Sequence, residues 1–348
     1  MNKLKWAILL IYASTLALLR MLKLAILSYF FTKKDLYISV WFGGLANNII
    51  QLAQAEYLSN KFGFTIHVPP HNFLKVTEKY DVHYIEPMEF QQKMYFPSTP
   101  STVIFDILTQ PETPVSTLAL FRRMFWRFDI LPFSPNFADY RDVLRQNIFP
   151  IIPHRTDELI KDDTLVIHMR SGDVFWEDLT KLHKGYIQPP LSFYLEIIEK
   201  FGYKDIVIVT QDDFKNPCIN ELKRLMPDVR IQTSDLFDDI STIISARHLI
   251  VPHSSFSLCL GLASEKLKRM FIPQFDITNK FNYTRAPFWP NIYKYSFVSK
   301  TSLSHFRNLD CDIRLVEILD YVPIGAWQNT PQQRSLMLSH SRDLIKFR

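Results

Sequence analysis

At 348 residues, of which 47% are hydrophobic and 22% charged, the chain has enough apolar material for about two folded domains and is no disordered polymer. Its formal net charge of +5 is spread along the sequence, with no basic run interleaved with aromatics, which argues against a nucleic-acid partner. Three dispersed cysteines, Cys218, Cys259 and Cys311, allow one bridge at most, and no CxxC or HExxH spacing points to zinc.

The first predicted element is apolar. Trp6 to Leu19 carries only Ser14 and Thr15 as polar residues, and after Arg20 and Lys23 the apolar character resumes through Phe31. A helix over that first stretch rises about 21 Å against a hydrocarbon core of ~30 Å, so a span must recruit Met21 and Leu22 and let Arg20 snorkel. A type II signal anchor is expected here, with a cleaved signal peptide and an interfacial amphipathic segment as the alternatives. Lys3 and Lys5 before it and Lys33 and Lys34 after it leave orientation undecided by flanking charge.

Next, strands are predicted at Leu36 to Val40, Phe64 to Val68 and Val103 to Phe105, with a helix from about Asn47 to Lys61. The aromatic and basic stretch from Leu120 to Phe128 reads as an amphipathic packing helix, or as one lining an acceptor groove. Pro132, Pro135, Pro150 and Pro153 then punctuate the chain and put a domain boundary near residue 155. Beyond it, strands are predicted at Leu165 to His168, Ile206 to Val209, Val229 to Gln232, His248 to Val251 and Arg269 to Ile272. Helices fall between them at about Leu191 to Phe201, Pro217 to Met226, Asp239 to Ala246 and Phe256 to Glu265. Such alternation implies a parallel, Rossmann-like sheet. Asp310-Cys311-Asp312 has the letters of a metal-holding DxD. It precedes a run from Ile313 that reads as a helix, so one of its aspartates is expected to be an N-cap and no metal site is expected.

The most informative stretch is Thr164-Leu-Val-Ile-His168-Met-Arg170-Ser-Gly172-Asp173, a buried strand that empties into a polar turn. Ligands of open α/β sheets gather at the carboxyl ends of strands. There Arg170 offers a planar fork of donors suited to phosphate oxygens, and Gly172 permits a left-handed turn or close backbone approach. Asp173 can anchor Arg170, hold a sugar hydroxyl or take a proton; a plain strand-end ion pair that pins the loop is the structural alternative.

This run resembles the HxRxGD motif of the fucosyltransferases, above all the α-1,2-fucosyltransferases of glycosyltransferase family 11, with α-1,6 and protein O-fucosyltransferases more distant. Gly43-Gly44-Leu45-Ala46-Asn47-Asn48-Ile-Ile-Gln51 is similar to the family's GGLGNQLFQ segment, with Ala46 for the usual Gly and Asn48 for the usual Gln. Ile206-Val-Ile-Val-Thr210-Gln-Asp212-Asp213 is like its strand with an acidic end. His248-Leu-Ile-Val-Pro-His253-Ser254-Ser255-Phe256-Ser257 is like its strand and Ser-Ser-Phe-Ser turn, with His253 where Asn is usual. The resemblance spans roughly residues 36 to 275, in the family's order. Taken singly, the Gly pair also reads as an ordinary βα turn and the serines as helix caps.

The resemblance implies a GT-B-like α/β fold with two Rossmann-like domains facing a cleft. The expected plan is a cytosolic tail and membrane segment over 1–34, an acceptor-side domain over 35–155, a nucleotide-sugar-binding domain over 156–326 and a C-terminal tail over 327–348. It implies inverting transfer of fucose from GDP-fucose to a sugar hydroxyl, the galactose 2-OH, of a glycan on glycoprotein or glycolipid, with neither metal nor cofactor. Arg170 and Asp173 are the catalytic candidates, with Glu177 and Asp178 as further candidates for the base. His168, Gly172, Asp212, Asp239, His253, Ser254, Ser255 and Phe256 are the donor-binding candidates, and Gly43, Gly44, Asn47 and Asn48 form the donor or acceptor loop. With the sequon at Asn282, a glycosylation candidate, the expected setting is the Golgi membrane, single-pass with the catalytic domain lumenal. The competing readings are a GT-B transferase of another nucleotide sugar and a membrane-anchored pseudoenzyme that binds glycans or nucleotide sugars without turnover.

Overall fold

The computed structural model describes residues 35–38, 41, 44–63, 65–84, 117–120, 137–155, 160–176, 187–252, 254–275, 309–321 and 329–347. The expected membrane segment, the strand at 103–105 and the aromatic-basic stretch after Leu120 lie outside these residues. Among the described residues no helix is long and apolar enough to cross a membrane. The chain divides into two compact units, one within Met1–Pro135 and Gln146–Pro153, the other within Asn136–Arg145 and His154–Arg348.

In the first unit β1 (Asp35–Ile38), β2 (Thr65–Val68), β3 (Asp81–Val82) and β4 (Thr117–Leu120) form a sheet in the order β3-β2-β1-β4 with every pairing parallel. Parallel neighbours need a crossover, and α1 (Leu45–Phe62) supplies it between β1 and β2. Ile49, Ile50, Leu52 and Ala53 are fully buried along α1. Gly63 then stops the helix at φ +69°, its N–H returning to the Ser59 carbonyl, a left-handed cap that costs glycine nothing. Glu56, also buried on α1, is satisfied by the Tyr80 hydroxyl at 2.6 Å, Asn147 Nδ2 at 2.7 Å and Lys79 Nζ at 2.9 Å. A buried carboxylate so fully partnered ties two surface turns to the helix.

The second unit holds α2 (Phe137–Val143), β5 (Leu165–His168), α3 (Leu191–Phe201), β6 (Ile206–Val209), α4 (Pro217–Leu225), β7 (Arg230–Gln232) and α5 (Leu236–Ser245). It continues with β8 (His248–Ile250), α6 (Ser255–Ala263), β9 (Arg269–Phe275), β10 (Asp312–Ile318), α7 (Pro331–Ser339) and β11 (Ile345–Phe347). The strands line up as β11-β10-β9-β8-β5-β6-β7, all parallel except β11. Every residue of β5 and β6 is buried, which is why both read as unbroken apolar runs: helices cover both faces of such a sheet.

Two expectations are corrected. Asp312–Ile318 is a strand parallel to β9 rather than a helix. Ile313, Leu315, Val316 and Ile318 fit either period, and pairing along the whole of β9 decides between them. Neither aspartate caps a helix. Asp310 is held by Arg141 Nε at 2.5 Å and Arg145 at 2.6 Å, and Asp312 by Arg269 and Arg314, each at 2.8 Å. Nor is 327–348 a tail: α7 carries a capping box of Thr330 and Gln333, and β11 closes the sheet edge antiparallel to β10. The three cysteines are free thiols, and burial pushes Cys259 up to about 12.

Candidate active site

The order of strands fixes where a ligand can sit. From β5 the chain winds outward through β6 to β7, then returns across the sheet to β8, which pairs with the opposite side of β5. Beyond the carboxyl ends of β5 and β8 is therefore the topological switch point, where open α/β sheets bind ligands. Arg170 leaves the end of β5 and Ser254 the end of β8, so the two candidate segments emerge side by side.

Arg170, its side chain 20% exposed, directs one terminal nitrogen at both oxygens of Asp173, at 3.0 and 2.9 Å. Asp173 thus anchors the guanidinium, and both its oxygens are occupied in doing so. His168 is buried below, its Nδ1 2.9 Å from the Ser257 hydroxyl on α6 and its ring 5.5 Å from that of Phe256. Burial, with the Arg170 charge adding to it, pulls its pKa down to about 3, so the ring is neutral at physiological pH. Gly172 takes φ +59°, the left-handed conformation for which a glycine was expected.

On the β8 side, Ser254 is the N-cap of α6, its hydroxyl accepting from the Phe256 N–H at 3.3 Å, and Ser255 is the first helical residue. This separates the roles of adjacent serines. Ser254→Ala is expected to cost about 1 kcal/mol of stability with little kinetic effect, as loss of a cap does. If the site takes GDP, as the sequence resemblance implies, Ser255→Ala is expected to weaken GDP binding at unchanged melting temperature, because hydroxyl and amides at a helix start favour phosphate. Calorimetric titration and thermal melts of both variants check this; equal thermal losses with unaltered GDP affinity remove the donor role of Ser255.

Asp212 and Asp213 are both exposed beyond β6, and it is the Asp213 carboxylate that bonds back to the turn after β5. Asp213 Oδ1 accepts from the Ser171 hydroxyl at 2.5 Å, the Gly172 N–H at 3.2 Å and the Lys215 N–H at 3.3 Å. Gln211 Oε1 takes the Ser171 N–H at 2.9 Å, and Asn216, fully buried, donates from Nδ2 to the Arg170 carbonyl at 3.0 Å while capping α4. Sequence reasoning passed over Ser171, Gln211, Asp213 and Asn216 as site residues. The one signal for them was the polar cluster directly after β6, the strand beside β5.

Asp239 lies in the first turn of α5, whose cap is Asp235 rather than the acidic pair that follows; Gln232 at the end of β7 donates to it at 3.0 Å and accepts from the Thr242 hydroxyl at 2.9 Å. Burial raises the Asp239 pKa to about 6, the Asp235 and Asp238 charges adding and the Gln232 bond opposing. The folded protein therefore holds this proton to higher pH than the unfolded chain, whose ordinary value is 3.8. Protonation stabilises the fold below about pH 4, and that stabilisation is lost as pH rises through about 6. Asp239→Asn is accordingly expected to raise stability at pH 7.5 by about 1 kcal/mol, discounting for partial exposure, with the gain vanishing near pH 3.5. Melts of both proteins across that range test it, and an equal shift at every pH contradicts it.

In the first unit Gly44 caps α1, its carbonyl accepting from the Asn47 N–H at 2.9 Å. Asn48 is buried and meets His71 Nε2 at 3.2 Å. Because His71 Nδ1 already accepts from the Phe73 and Leu74 amides, Nε2 carries the proton and donates to Asn48. Among the described residues Asn47 Oδ1 is buried and has no hydrogen-bond partner. Gly43, His253 and Asn282 lie outside the described residues.

No family model matches the chain, and no curated protein sequence matches it. Among solved structures it is similar to the fucosyltransferase NodZ from Bradyrhizobium, at 14% identity and a TM-score of 0.37 over 67% of this chain and 94% of that one. It is also similar to POFUT1 in complex with GDP, at 13% identity and a TM-score of 0.34 over 68% and 98%. A third is the E. coli heptosyltransferase WaaC with ADP, at 8% identity and a TM-score of 0.35 over 71% and 88%. Likeness at this level assigns neither substrate nor residue roles.

Proposed function

We propose that the chain is a glycosyltransferase that moves fucose from GDP-fucose to a sugar hydroxyl, the galactose 2-OH of a glycan, without a metal ion. The observation that carries this reading is the Arg170 guanidinium, held by Asp173 at the end of β5 beside the start of α6. Breaking the bond between fucose C1 and the β-phosphate oxygen sends the electron pair to the phosphate. A preorganised guanidinium at that oxygen meets the developing charge as a metal ion would. The acceptor oxygen attacks C1 from the opposite face, inverting it, and gives up its proton. Asp173 serves here as the anchor of Arg170, and the base is left unassigned; Glu177 and Asp178 lie outside the described residues. Donor contacts fall to His168, Gly172, Asp239, Ser255 and Phe256. By the same reading residues 1–34 anchor the protein in the Golgi membrane with the catalytic domain lumenal.

Donor hydrolysis with a panel of GDP- and UDP-sugars, run with and without EDTA, tests the proposal. Release of GDP from GDP-fucose that persists under chelation is the expected result. Preference for a UDP-sugar moves the chain to another transferase class, and donor binding without turnover makes it a pseudoenzyme. Loss of activity on chelation, restored by manganese, overturns the metal-free mechanism.

A further inference from the structure

The turn from Arg170 to Gly172 is fixed by groups that do not touch its guanidinium. The Arg170 carbonyl is taken by Asn216 Nδ2, the Ser171 N–H by Gln211, and both the Ser171 hydroxyl and the Gly172 N–H by one oxygen of Asp213. The Ser171 hydroxyl in turn accepts from the Asn216 N–H at 3.2 Å, so the loop after β6 closes around the turn after β5. That loop carries backbone strain. Phe214, a bulky residue directly after Asp213, sits at φ +47° and is 38% exposed. Such a conformation persists only where the surroundings over-determine it, and it gathers at functional sites.

An acidic residue at a strand end beside an anion site is otherwise a liability, since it repels phosphate. Here one oxygen of its carboxylate accepts from the O–H and N–H groups of the turn, and the other lies 3.8 Å from Lys215 Nζ, whose cation offsets its charge. We propose that Asp213 is a positioning residue: through Ser171 and Gly172 it sets the backbone from which Arg170 reaches the donor diphosphate. The inference rests on the donor reading above. It makes Asp213 act through Arg170 alone, with no contact of its own to substrate.

That claim has a sharp consequence in a double-mutant cycle, because two residues acting as one unit are not additive. GDP affinity is measured by calorimetric titration for the wild type, Asp213→Ala, Arg170→Ala and the double variant, with melting temperatures alongside. Asp213→Ala is expected to weaken GDP binding about tenfold when Arg170 is present, and by less than about twofold in the Arg170→Ala background. Asp213→Asn keeps an acceptor oxygen for the Ser171 hydroxyl and Gly172 amide and is expected to retain at least about half of the wild-type affinity. The Asp213 side chain is only partly buried, so truncation is expected to leave the fold intact, which the melting temperatures check. Equal losses in both backgrounds, or an unweakened Asp213→Ala, overturn the proposal. A wild-type protein that does not bind GDP overturns the donor reading itself, and the inference with it.

Discussion

Arg170→Ala is expected to lower turnover at saturating donor by a hundredfold or more while the protein keeps its fold. On the proposed reading the guanidinium meets the charge that develops on the leaving phosphate, and removing one such preorganised donor costs roughly 3 kcal/mol of barrier. At about 1.4 kcal/mol per tenfold, that is a factor above a hundred. The structural cost is small by comparison. Arg170 is partly exposed, and Asp173, whose side chain is 40% exposed, rehydrates when its partner is removed. What remains is an unpaired carboxylate facing an anionic donor, so adding Asp173→Asn to Arg170→Ala is expected to recover part of the GDP affinity. Arg170→Lys is expected to rescue poorly, because an ammonium keeps the charge but loses the planar fork. Steady-state kinetics with GDP-fucose decide: Arg170→Ala retaining more than about a tenth of wild-type turnover removes Arg170 from the leaving-group role.

Much of the second unit was legible in the sequence because its strands are buried on both faces. Continuous runs such as Leu165–His168 and Ile206–Val209 have no amphipathic signal to confuse, and their bounds are those expected. Legibility failed where two periods fit the same letters, as at Ile313 to Ile318, where pairing with a strand far back in the chain decided the outcome. It failed again at Asp212 and Asp213. Which of two adjacent carboxylates faces the turn is set by the path of the loop after β6, where Phe214 is left-handed, and nothing in a single sequence marks a phenylalanine for that conformation. Arg141 is the same kind of case: it is buried because its guanidinium meets Asp310 and the Leu262 carbonyl at the end of α6, partners distant in sequence.

Gly172→Ala is expected to damage both fold and activity, and a second glycine separates the two effects. At φ +59° any Cβ is strained by about 1 kcal/mol, and here it also meets Gln211, with Nε2 at 2.5 Å and Cδ at 2.9 Å. Gln211 cannot simply swing aside, because its Oε1 accepts the buried Ser171 N–H, a bond worth about 1 kcal/mol net. Either Gln211 gives up that bond, which loosens the turn, or the turn itself shifts, and Arg170 is expected to move with it. A misplacement near 1 Å in a catalytic group costs as much as a hundredfold in rate. Gly202, at the end of α3, has a comparable φ of +68° but nothing within 4 Å of its Cβ position. Gly202→Ala is therefore expected to cost about 1 kcal/mol of stability at unchanged turnover, and Gly172→Ala to cost roughly 2–3 kcal/mol and at least tenfold in turnover. Denaturant unfolding and initial rates on the two variants measure both quantities. If the two substitutions lower stability equally and neither alters turnover, the left-handed backbone at Gly172 serves only the fold, and the close packing of Gln211 against it has no part in holding Arg170.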